Sequence, residues 1–371
     1  MQKNIKKVLC LIVVLTCYGV AEGQSEEIAQ LSGVIKPKSR PDKLAFSPDG
    51  KLLVTTEDDN AEVSLWYAET SALKIKLRGG KRRDRLGRLV GTGVALPTFS
   101  PDSSTLVVMD FGANEIRLWD VETGKVDQSF KGGIGMQAPV FSPDGRLLAL
   151  AGLPGLQLWD MKARQMSNWS HADAMGINRI VFEPDGQAFW ALVGRELQFS
   201  LYRVNVLSGE VMSKIVPAEG KPCWFTISFD GKTLATTAES AGAFKLWNVA
   251  TAQMIGTVGS HGKDIGLIAF SPNTQTLTTM YGKKVTLWKR DTAELIVSLE
   301  QKFGQVPRFI PDGMLLAIVV DQGLSLRDAR NGEQKQLLKR ASSPFAFSRD
   351  ADRLATTGKD GSVSIWRILQ R

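Results

Sequence analysis

Two histidines, His171 and His261, and three cysteines, Cys10, Cys17 and Cys223, supply all the imidazole and thiol in this 371-residue chain. A three-histidine zinc centre is therefore excluded, and the distance in sequence between His171 and His261 argues against any metal site built on imidazoles. Cys223 stands in the apolar run Cys223-Trp224-Phe225-Thr226-Ile227. A thiol in that setting reads as a buried strand residue, since no histidine beside it in sequence could act as its base. Neither a Gly-x-Ser-x-Gly elbow nor a carboxylate–histidine cluster is present. The expectation is no catalytic residue, no cofactor and no metal centre, although carboxylates alone could still hold calcium.

What remains is charge. The stretch Gly79-Gly80-Lys81-Arg82-Arg83-Asp84-Arg85-Leu86-Gly87-Arg88 sets Lys81, Arg82, Arg83, Arg85 and Arg88 against a single acid. Such a loop can contact an anionic partner, or it can simply be a solvated, solubilising surface. Specific nucleic-acid binding is disfavoured because no aromatic residues interleave with the arginines for bases to stack on. The glycines do not make a phosphate cradle either, because the Gly-Lys-Ser/Thr ending is missing.

The elements that would position this loop follow from a repeat. Phe46-Ser47-Pro48-Asp49-Gly50 returns around Asp102, Asp144, Asp185, Asp230, Asn273, Asp312 and Asp350, at intervals of roughly 43 residues. Proline presets φ, aspartate bonds to nearby backbone and glycine accepts positive φ, so each phrase is a turn. An apolar strand such as Lys43-Leu44-Ala45-Phe46 precedes it, and a second such as Leu52-Leu53-Val54-Thr55-Thr56 follows. A third strand ends in tryptophan, as in Val63-Ser64-Leu65-Trp66, and a turn then leads to a fourth. Period-two alternation marks all of these as strands. Four short strands per repeat is the pattern of a β-propeller blade. Eight repeats predict an all-β, eight-bladed ring of four-stranded antiparallel blades.

Trp119-Asp120, Trp159-Asp160 and Trp247-Asn248, set in this register, make the chain similar to the WD-repeat (tryptophan–aspartate) propellers, with degenerate repeats, over roughly residues 25–371. Six units keep the third-strand Trp; Tyr202 is expected to replace it in unit four and Arg327 in unit seven. His171 and His261 fall near the family's Gly-His slot and so read as packing elements. The aspartate six residues before Trp is clear only at Asp360, which implies greater reliance on apolar packing. The resemblance also implies that the loops from strand two to three and from strand four to the next blade share one rim. Lys81, Arg82, Arg83, Arg85 and Arg88 would lie there with Glu57, Asp58, Asp59, Tyr281, Asp321 and Lys359. It implies a non-catalytic scaffold that binds a protein partner through rim loops, and the basic loop suits an acidic one. The alternative is a small-ligand binder or a degenerate hydrolase or lactonase using the central channel.

The ends of the chain carry two further expectations. Lys3, Lys6 and Lys7 followed by the apolar run from Val8 to Ala21 resemble a secretory signal peptide, residues 1–23, with a small-residue cleavage site at Ala21-Glu22-Gly23. Residues 24–371 would then form one propeller, exported to a periplasmic, envelope-associated or secreted location. Membrane contact would come only through the signal or a lipid on Cys17, whose preceding Leu15-Thr16 fits a lipidation site poorly. Cys223 would be the single remaining cysteine, so no internal disulfide is expected. Five residues after Trp366 are too few for a turn and a fourth strand. The segment Ile28–Gly33 is therefore expected to complete the last blade and close the ring.

Overall fold

A computed structural model describes residues 27–57, 62–78, 94–110, 115–131, 139–151, 155–169, 177–195, 198–216, 224–237, 243–259, 265–302 and 305–369. They form eight four-stranded antiparallel sheets. Blade one is Lys43–Phe46, Leu52–Glu57, Glu62–Tyr67 and Leu73–Arg78, hydrogen-bonded in that order. Blades two to seven repeat the plan over residues 94–131, 140–169, 177–215, 225–258, 267–300 and 308–339. Blade eight takes three strands from residues 341–368, and its fourth is Ala29–Ile35, antiparallel to Val363–Ile368. The predicted eight-bladed ring and its N-terminal closing strand are both present.

The turn between the first two strands is held by a small polar staple. Ser47, Ser100 and Ser142 donate from Oγ to Asp49, Asp102 and Asp144 at 2.6, 2.5 and 2.5 Å. The same hydroxyls accept the backbone N–H of Leu52, Thr105 and Leu147, each at 2.9 Å. This staple sets the turn even where glycine is missing, since Ser103, Thr274 and Ala351 occupy the glycine position at φ 66, 59 and 62°. Asp102 and Asp144 are held below the ordinary carboxylate range. The serine hydrogen bond comes first, against the opposing effect of burial, and backbone N–H groups add to it. A carboxyl with a depressed folded pKa adds stability that is complete above its unfolded value and lost as pH falls through the folded one. Resistance to urea should therefore drop below about pH 4. Ser142→Ala should make that drop shallower in unfolding curves at pH 5, 4 and 3, and an equally steep fall in the variant would contradict the role given to the staple.

Each sheet is too narrow to bury both faces, and the core lies between blades. One apolar cluster joins Val54, Leu65 and Leu77 of blade one to Leu106 and Val108 of blade two. Equivalent clusters join every later pair in turn, and the last brings Ile35 and Ile365 of blade eight against Phe46 and Trp66 of blade one. The third-strand tryptophans bury their rings in these seams. In four blades the indole N–H also finds a threonine on the second strand: Trp66 to Thr55, Trp247 to Thr236, Trp288 to Thr279 and Trp366 to Thr356, at 2.9–3.0 Å. A buried indole that kept no acceptor would lose about 1–3 kcal/mol, so these threonines are part of the packing.

Blade four departs from the expected reading. Trp66 lies opposite Leu53, and the residue in that register in blade four is Val204, opposite Phe189. Tyr202 sits two residues earlier, opposite Ala191, and is not the replacement. The second and third strands of blade four, Ala188–Arg195 and Gln198–Asn205, have eight residues each, where blade one has six. That longer hairpin moves the tryptophan register along the chain. In blade seven, Arg327 does lie opposite Leu316 in the tryptophan register.

Candidate functional site

The connection from the closing strand to blade one, residues 36–42, reads Lys36-Pro37-Lys38-Ser39-Arg40-Pro41-Asp42. Ring closure lays it beside the hairpin Lys359-Asp360-Gly361-Ser362 of blade eight, and the two enclose a cleft of about 510 Å³. Lys36, Lys38, Arg40 and Lys359 are all exposed along it. Gly361 forms the tip at φ 81°, and a Cβ there would come within 3.4 Å of the Arg40 Cα, so the close approach uses glycine twice. Arg40 Nη2 donates to the Ser343 carbonyl at 3.0 Å, tying the connection to blade eight. Asp360 is the one acid lining the cleft. It accepts from Ser362 Oγ and N at 2.7 and 3.1 Å, bonds that hold its carboxyl below the ordinary range, with Lys36 adding a smaller electrostatic effect. Lys38 and Lys359 form no ion pair among the described residues. The cleft is therefore a cationic notch on a rigid seam.

Glu57, expected on the rim, is buried at the end of its strand. Its Oε2 accepts from Ser39 N and Oγ at 3.2 and 2.7 Å. It anchors the basic connection from beneath and is not offered to a partner. Tyr281, Asp321 and Lys359 are exposed at the hairpins between strands two and three in blades six, seven and eight. They share a rim without forming one cluster. Asp58, Asp59, Lys81, Arg82, Arg83, Arg85 and Arg88 lie outside the described residues, as do His171, His261 and Cys223. Arg78 and Val94, which bound the arginine-rich segment, are the end of the outer strand of blade one and the start of the inner strand of blade two. That connection has the same place in the repeat as residues 36–42, one blade further on.

The opposite face carries the serine–aspartate turns. Between blades three and four it has a cavity of about 710 Å³ with Asp144, Asp160 and Asp185 in its walls. These carboxylates are already engaged: Asp144 by Ser142, and Asp160 by the backbone N–H of Ala163 at 2.7 Å and by Arg146 at 3.3 Å. At the hub, no described residue of the eight inner strands is an aspartate or glutamate. No group of three or more histidine, cysteine, aspartate or glutamate residues suited to a metal occurs among the described residues.

The WD domain, G-beta repeat family matches residues 345–367, the blade that carries both Asp360 and Trp366. The C-terminal WD40 domain of Sif2 superposes with a TM-score of 0.70 at 14% identity, covering 93% of this chain and 99% of that one. This chain is a WD-repeat propeller. Among relatives in sequence, eukaryotic translation initiation factor 3 subunit I of Scheffersomyces stipitis is 32% identical over 111 residues, 29% of this chain. An uncharacterised WD repeat-containing protein of Synechocystis is 33% identical over 108 residues, 28% of this chain. The matched stretches span only 28% and 26% of those relatives' own lengths, so the likeness is one of repeats. WD-repeat propellers typically serve as scaffolds for protein interaction.

Proposed function

We propose that this propeller is an exported, non-catalytic platform that captures an acidic protein partner on the cationic rim at its closing seam. The observation that carries this reading is the cleft in which Lys36, Lys38, Arg40 and Lys359 face one acid, with Lys38 and Lys359 unpaired among the described residues. The arginine-rich stretch Lys81–Arg88 would extend that surface onto the next blade. A loop fixed on closed sheets loses little freedom on binding, so its charges can be spent on recognition. Channel chemistry built on converging carboxylates has no such acids on the described inner strands. The signal-like residues 1–23 support export.

Exposed charges act mainly on the rate of encounter, at a cost of about 0.2–1 kcal/mol each when removed. Lys36→Glu/Lys38→Glu/Lys359→Glu should therefore slow partner association roughly 10–100-fold at low salt and leave the melting temperature unchanged. The test is quantitative capture from an envelope fraction, with the triple variant and with Arg82, Arg83, Arg85 and Arg88 changed to alanine. Equal capture by both variants would remove the rim from consideration. Cell fractionation of the full chain with a C-terminal epitope tests export separately.

A further inference from the structure

We infer that the outer wall of blades four to six is a self-association surface, on which the outer strand of blade five, Met254–Val258, pairs antiparallel with the same strand of a second copy of this chain. In blades one, two, four, five and seven the outer strand shifts register by one residue beside the tryptophan register. The extra residue is Lys74, Asp127, Met212, Ile255 or Lys335. The charged ones are paired. Lys74 Nζ donates to Glu122 Oε2 and Arg164 Nη2 donates to Asp127 Oδ1, each at 2.7 Å, and Lys335 Nζ donates to Glu333 Oε2 at 2.7 Å. Glu122 and Arg164 belong to the following blade, so the extra residue lies against the next blade's turn between strands three and four. In blades four and five that position is apolar and open, with Met212 51% and Ile255 60% exposed. Met212 therefore borders the turn that leads into Met254, 54% exposed, and Ile255 borders the turn that leads into Leu295, 57% exposed. The four side chains make an apolar belt across three neighbouring blades.

Two further features centre the belt on blade five. No residue from Asn248 to Gly259 is charged, whereas the outer strands of blades one, two, four, six and seven carry Lys74, Asp127, Lys214, Glu300 and Lys335. Charge on an edge strand ordinarily keeps two edges apart. Gly256 lies opposite Leu246, in the place that Ile75 takes opposite Leu65 and Val297 opposite Leu287. Ile75 and Val297 fill the space beside Gly124 and Gly332 of the following turn, while a Cβ on Gly256 would meet nothing within 4 Å. The edge is neutral, apolar and indented.

A second copy is the occupant these features fit. A neutral edge strand is complementary to itself about a twofold axis, because antiparallel pairing brings the same residues to both sides. Charge points the same way. The formal net charge of +8 opposes self-association wherever cations gather. The cationic notch lies across the ring, at the seam between blades eight and one. Pairing through blade five keeps the two notches apart and leaves both open to a partner. The surface shares no residue with the closing seam and does not depend on the rim reading.

Sedimentation velocity across a wide range of concentration tests the pairing on the protein as purified from cells. A reversible monomer–dimer equilibrium is expected, weakened roughly tenfold or more in Ile255→Lys, which puts like charges into the interface. Lysine is native to this position in blades one and seven, so the variant should keep its unfolding midpoint. If it does not fold, Thr257→Lys, exposed on the same strand, serves in its place. Met212→Lys should weaken the dimer several-fold. The dimer should persist in Lys36→Glu/Lys38→Glu/Lys359→Glu, and added sodium chloride should not dissociate it, unlike an association carried by exposed charges. Amide hydrogen exchange at low and high concentration locates the edge, with protection at Met254–Val258 growing as the dimer fills. A chain that stays monomeric throughout, a dimer indifferent to the lysine variants, or protection that appears on Ala29–Ile35 instead would each overturn the surface.

Discussion

Deleting residues 27–35 is expected to abolish cooperative unfolding of the whole ring and to leave an aggregating, partly folded chain. The segment contributes a complete outer strand, paired from Ala29–Ile368 to Ile35–Val363, and both Ala29 and Ile35 are fully buried. Ile35 belongs to the seam between blades eight and one, and Ala29 to the seam between seven and eight, so one strand serves two interfaces. Gln336 of blade seven holds its start in place. Its Oε1 accepts the N–H of Ile28 and Ala29 at 2.8 and 2.7 Å, and its Nε2 donates to the Ala29 carbonyl at 2.9 Å. Removing the strand would expose the edge Val363–Ile368 along its full length, which invites pairing between chains. The single change Ile35→Ala should cost about 2–5 kcal/mol, the range for emptying a well-packed aliphatic site. Chemical denaturation followed by tryptophan emission measures both effects, and a synthetic peptide of residues 27–36 should restore the transition to the deleted chain. An unchanged denaturation midpoint in the deletion would show that the ring does not need its clasp.

The closing strand was readable because it follows from arithmetic: an eighth unit too short to supply four strands must borrow one. The ring was readable for a related reason, since turn chemistry and period-two alternation agree across eight registers and errors in any one unit average out. Single positions had no such protection. Tyr202 occupies the spacing expected of the third-strand aromatic, but two extra residues in each strand of that hairpin put Val204 there instead. Glu57 shows the same limit at the rim. Its charge and its place at a strand end suggest exposure, while Ser39, distant from it only in sequence, buries it. The basic notch was missed, although the run Lys36-Pro37-Lys38-Ser39-Arg40 holds three of its cations in one stretch. Its partner Lys359 stands more than three hundred residues away, and only ring closure makes the two segments neighbours.

Blade four carries a feature that the repeat pattern hides, and its disruption should have the second large effect. Where Ser47, Ser100 and Ser142 staple their turns, this blade has Glu183, buried. Its Oε1 accepts from Trp190 Nε1 at 2.9 Å and from Arg203 Nε at 2.7 Å, and its Oε2 accepts from Arg203 Nη2 at 2.8 Å. Trp190 and Arg203 are direct cross-strand partners, and the hydrogen-bonded Glu183 raises the affinity of the guanidinium for its proton. The indole has moved from the third strand to the second, and the carboxylate has become its acceptor in place of a threonine. Arg203→Met leaves a buried carboxylate without its charged partner and should destabilise by about 3–5 kcal/mol. Glu183→Ser takes the carboxylate acceptor from the Trp190 N–H and should cost about 1–3 kcal/mol, since Arg203 keeps some access to water. The double change Glu183→Ser/Arg203→Met removes both charges and restores the serine of the other turns. It should cost less than the sum of the single changes by roughly 0.5–3 kcal/mol, the coupling typical of residues in one network. Urea unfolding of the four proteins closes this cycle. Strict additivity would mean that Glu183 and Arg203 stabilise the blade independently, and that the charged triad standing in for the serine staple has no cooperative role within blade four.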